Sequence, residues 1–117
     1  MASAASPQRP GYYQLSAWLA CTHSSFANYT AISRFPYVPG PPASSCSRPA
    51  CKSSVQGRRN KTCDCAIRAA FVSVGIDPKK ERLRWHPDRF AGVVGESRRG
   101  EFQEAAREIF VVLGGMC

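Results

Sequence analysis

The stretch Glu81-Arg82-Leu83-Arg84-Trp85-His86-Pro87-Asp88-Arg89-Phe90 decides how the second half of this chain is read. Pro87 disfavours the helical region for His86 and so halts a helix arriving from the N-terminal side. Upstream, Asp77-Pro78 is a start signal, with Asp at the N-cap and Pro at the first helical position. The two marks bracket a short helix over residues 78–85. That helix carries Lys79, Lys80, Arg82 and Arg84 up to the turn, and Arg89 follows it.

Apolar periodicity extends the pattern both ways. Ile67, Ala70, Phe71 and Val74 fall at i, i+3, i+4 and i+7, one stripe of an amphipathic helix. Asp64 or Thr62 is its expected N-cap, and Gly75 stands where a C′ residue belongs. Beyond the turn, Phe102, Ala106, Ile109 and Leu113 form a second stripe that Ala105 and Phe110 widen. Ser97 is the expected cap there, and Gly114-Gly115 the end. Antiparallel pairing of the second and third helices places Leu83 and Phe90 against Phe102, Ile109 and Phe110, with Phe71 and Val74 covering the pair. Trp85 and Phe110 should be at least half buried. A unit of roughly 56 residues with this core is marginal on its own.

The charge is divided unevenly. Residues 1–63 hold seven Lys or Arg and no acid, whereas all eight Asp and Glu lie from Asp64 onward against nine bases. Seven of the nine prolines also lie in the first half, with Pro36, Pro39, Pro41 and Pro42 close together. Prolines in that density remove donors and exclude regular structure. Ser-rich sequence follows to Gly57, so residues 1–61 are expected to be a disordered basic segment, and residues 62–117 the folded unit. One exception is residues 12–26, where Leu15, Trp18, Leu19 and Phe26 share a helical face. That face is either an amphipathic presequence helix or a transient turn. The length allows a single small domain.

The run Arg-Trp-His-Pro-Asp-Arg-Phe, with a basic helix before it and a returning helix after it, resembles the J domain of DnaJ-type co-chaperones. Phe71-x-x-Val74-Gly75 mimics the end of that family's first helix. The helix before the turn is about half the usual length. The shortened form, with Ile109-Phe110-Val111-Val112-Leu113 downstream, is similar to a region of some fungal and IκB-inhibitor-like proteins. The resemblance implies a mostly α fold, a J-like antiparallel pair within a two- to three-helix unit, after a disordered N-terminal half. It also implies a non-catalytic role, docking to a DnaK-type ATPase. The matching positions are His86, Pro87 and Asp88 at the turn, with Lys79, Lys80, Arg82, Arg84 and Arg89 as the basic surface.

Other constellations point elsewhere. Cys46-x4-Cys51 with Cys63-x-Cys65 is a four-thiolate zinc candidate, but neither spacing is that of the common two-residue knuckle, and incidental thiols are the expectation. No metal, cofactor or catalytic group is expected: His86 lacks a second ligand at useful spacing, and Asp88 is too near in sequence to orient it. The alternative function is a basic nucleic-acid-associated protein, using Arg58-Arg59-Asn60-Lys61 and the first-half aromatics Tyr12, Tyr13, Trp18, Phe26, Tyr29, Phe35 and Tyr37. No run of residues approaches a bilayer span. The expected location is intracellular, nuclear or cytoplasmic, with a mitochondrial presequence as the alternative. The sequons at Asn28 and Asn60 are then coincidental.

Overall fold

The computed structural model describes residues 12–39, 55 and 57–117. Among these residues the fold is helical, with four α-helices and no strand: α1 (Tyr12–Ser25), α2 (Asp64–Val74), α3 (Pro78–Arg84) and α4 (Glu96–Gly114). Two 3-10 turns, Phe26–Ala31 and Pro87–Phe90, extend α1 and follow α3.

The helices of the second half form where their signals stand. Asp77 caps α3 by accepting from the Lys79 N–H at 3.0 Å, with Pro78 at the start. Gly75 ends α2 in the left-handed region (φ 69°), where a side chain would be strained. Two caps differ from expectation. Cys63, not Asp64 or Thr62, precedes α2. Gly95, with φ 94°, precedes α4 and displaces Ser97 into the first turn. The glycine supplies a backbone turn that Ser97 cannot adopt cheaply, and Glu96 then faces the positive end of the helix.

α4 is the spine. It packs against α2, α3 and the Pro87–Phe90 turn, while α1 packs on α2. Phe102, Ala105, Ala106, Ile109 and Leu113 are buried along one side of it, together with Val112. Trp85 lies at the centre, fully buried.

Leu83 departs from expectation: it is 53% exposed. Residues 81 and 85 lie about 40° apart on a helix, and residue 83 lies about 200° from residue 81. The two-turn α3 therefore buries Glu81 and Trp85 and turns Leu83 outward. Phe110 is mostly buried, although its ring meets the His86 ring at 4.9 Å and the Arg82 guanidinium at 5.3 Å.

The larger correction concerns the first half. Residues 12–39, expected in the disordered segment, complete the core with Leu15, Leu19, Phe26, Ile32, Phe35 and Val38. Their rings surround Trp85: Phe26 at 4.9 Å, Phe35 at 5.8 Å and Trp18 at 6.1 Å. Full burial of each large apolar side chain contributes about 1.5–3 kcal/mol, and this is the area that a 56-residue unit lacks. Pro36 and Pro39 bar a helix but suit the irregular chain over residues 32–39, and their fixed φ lowers the entropy lost on ordering. The other residues of that segment, 1–11, 40–54 and 56, lie outside the described residues, Cys46 and Cys51 among them.

Candidate interaction site

The site begins with a buried acid. Glu81 is 1% exposed, a position that a carboxylate holds only when its charge is met. Three donors meet it: His23 Nε2 at 2.8 Å, Arg84 Nη1 at 2.9 Å and the Trp85 indole N–H at 2.9 Å. His23 arrives from α1, 58 positions away in sequence. The network thus ties α1 to α3 and fixes the indole at the core centre. Sequence reasoning missed it. The spacing of Glu81 and Trp85 at i, i+4 was a signal for part of it, but nothing local pointed to His23.

After Trp85 the chain leaves the helix as Pro87 requires, with His86 extended at φ −61°, ψ 130°. The His86 Nδ1 atom accepts the Asp88 backbone N–H at 3.1 Å, so the ring proton of neutral His86 sits on Nε2. The histidine, and not Asp88, is the cap of this turn. Gln103 donates to the Pro87 carbonyl at 3.3 Å, and Arg89 Nε donates to the Leu83 carbonyl at 2.7 Å. The turn is thereby anchored beside the middle of α4. The Asp88 side chain is 90% exposed and the His86 side chain roughly half exposed.

The basic residues expected to form one surface are divided between two. Arg82 and His86, one turn apart, share the Phe110 ring of α4. Lys80 and Arg84 lie on the opposite side of α3, and with Arg89 they border a recess against the end of α1 and its 3-10 turn. Lys79 is exposed at the start of α3. Tyr29 closes this second side: its hydroxyl donates to the Arg84 carbonyl at 2.6 Å, and Arg89 lies 5.9 Å from its ring. Burial, partly offset by Arg89 and Arg84, pushes the Tyr29 pKa up and keeps the hydroxyl protonated.

The Arg58-Arg59-Asn60-Lys61 cluster packs on acids. Arg58 pairs with Asp64 at 2.6 Å, and Arg59 with Glu104 at 2.7 Å. Asn60, 5% exposed, donates to the Ala105 carbonyl and to Glu108. Burial of Glu108 opposes its ionisation. The Asn60 side chain, the Arg59 and Asn60 backbone N–H groups and the Arg58 guanidinium outweigh that burial and hold its pKa below the usual carboxylate range. Of the first-half aromatics, Phe26 and Phe35 are buried, Trp18 and Tyr29 are partly buried, and Tyr37 is exposed.

Among the described residues no group of three His, Cys, Asp or Glu side chains is placed to hold a metal ion. No helix among them is long and apolar enough to cross a membrane. No protein family, curated protein or solved structure matches the chain.

Proposed function

We propose that the chain is a non-catalytic protein-interaction module, intracellular, that docks to a DnaK-type ATPase through His86, Pro87 and Asp88. The observation that carries this reading is the turn itself. Asp88 projects into solvent, while the adjacent His86 is held by Phe110 and by its bond to the Asp88 N–H. A recognition loop ordered before binding loses less entropy on docking, which suits a small contact surface. Arg82, which shares the Phe110 ring with His86, and Arg89, which follows Asp88, put positive charge beside it and favour an acidic partner face. The nucleic-acid alternative draws less support, because Arg58 and Arg59 are engaged by acids and two of the aromatics it would use are buried in the core.

The test is ATP turnover by a DnaK-type chaperone with and without the full chain at fixed salt. The reading predicts acceleration by wild type, and its loss in both His86→Gln and Asp88→Asn with an unchanged helical spectrum. A wild-type chain that leaves turnover at its basal rate would overturn it.

A further inference from the structure

A recess of about 420 Å³ opens between the end of α1, its 3-10 turn and α3. Its size is that of a small-ligand or side-chain pocket. Lys80, Arg84 and Arg89 stand around it, and His23 closes one wall. No carboxylate lines it among the described residues. Glu81, on the same helix as Lys80 and Arg84, is buried with its charge met by His23, Arg84 and Trp85. Arg84 is paired with Glu81, whereas Lys80 and Arg89 make no ion pair among the described residues, so the recess keeps a net positive charge. Its remaining wall is apolar, with Phe26 and Tyr29 stacked at 4.7 Å and Leu83 exposed at the rim. An exposed leucine in the same recess as Lys80 and Arg89 suits a ligand that brings an apolar group and a carboxylate together.

We propose that this recess docks an acidic peptide segment of a partner protein, in which an Asp or Glu lies beside a large apolar residue. The carboxylate meets Lys80 and Arg89, beside the Arg84–Glu81 pair, while the apolar side chain covers Leu83 against the Phe26–Tyr29 wall. The site goes beyond the turn. His86 and Asp88 do not border it, and Arg82, on the far side of α3, takes no part. Its position depends on α1, which the J-like reading does not include.

The experiment uses the full chain and a fluorescein-labelled decapeptide of alternating Asp and Leu, followed by anisotropy at roughly 50 mM salt, where surface charges are weakly screened. Wild type should bind with a Kd on the order of micromolar. Lys80→Glu, an exposed position whose change leaves the core untouched, should weaken binding about tenfold or more, whereas Lys80→Arg should retain it. Leu83→Ser should weaken the Asp–Leu peptide but not an all-Asp peptide. His86→Gln should bind as wild type does, which separates failure of this site from failure of the turn. Absence of saturable binding by wild type, an unchanged Kd in Lys80→Glu, or tighter binding of a single-stranded oligothymidylate than of the peptide would overturn the proposal.

Discussion

Glu81 shows how one residue can set both the core and the surface of a small protein. A buried carboxylate is tolerated here because three donors reach it from two helices, and each is fixed in turn by that contact. Glu81→Ala strands the buried Trp85 N–H and releases His23, so it should cost about 3 kcal/mol or more. Urea unfolding followed by Trp fluorescence measures this, and a loss below about 1 kcal/mol would show that the network contributes little. Phe110 acts on the surface side, between His86 and Arg82. Phe110→Ala should cost about 3 kcal/mol, at the low end for a Phe truncation because the ring is not fully buried. The His86 proton resonances should also lose their ring-current shift. Unshifted resonances would mean that His86 does not rest on that ring.

At the scale of elements, legibility followed the strength of the local signal. α4 was readable because one apolar stripe repeats from Phe102 to Leu113, and α3 because Asp77-Pro78 and Pro87 mark both its ends. Its burial was not readable in the same way. A two-turn helix admits more than one choice of inward face, and the choice fell to Glu81 and Trp85, a polar–aromatic pair that an apolar pattern passes over. α1 was obscured by its setting. Its stripe is interrupted by Thr22, it carries no acidic residue in its first turn, and proline-rich sequence follows. The Thr22 hydroxyl resolves its burial by donating to the Trp18 carbonyl at 2.8 Å, a bond that composition does not reveal. The exposed Asp88 was legible from the motif, whereas the division of the basic residues into two surfaces required the packing of α1.

The segment over residues 57–61 carries its own prediction. Its hold on α4 runs through Glu108, whose pKa is depressed in the folded chain. A carboxyl of this kind stabilises the fold above its unfolded pKa of about 4.3, and the contribution is lost as pH falls through the lower folded value. Thermal melting should therefore decline through the acid range in wild type. Glu108→Gln should lose about 1–2 kcal/mol at neutral pH and show a flatter acid limb. Parallel acid limbs in the two proteins would assign the acid sensitivity to other carboxyls.

On the scale of the whole molecule, residues 12–39 and 57–117 share one core centred on Trp85. The recess proposed as a docking site depends on that union, since α1 walls it and its His23 holds Glu81 of α3. Cooperative burial of this kind implies a single unfolding transition, because neither part retains a closed core without the other. Residues 62–117 alone should thus show a strongly reduced or absent melting transition, and a transition equal to that of the full chain would return α1 to the status of an appendage. Native-state amide exchange on the full chain tests the claim most directly. The backbone amides of Leu19 and Thr22 should open with the same free energy as those of Ile109 and Leu113. Exchange at Leu19 and Thr22 at the rate of an unstructured peptide, with α4 still protected, would contradict it.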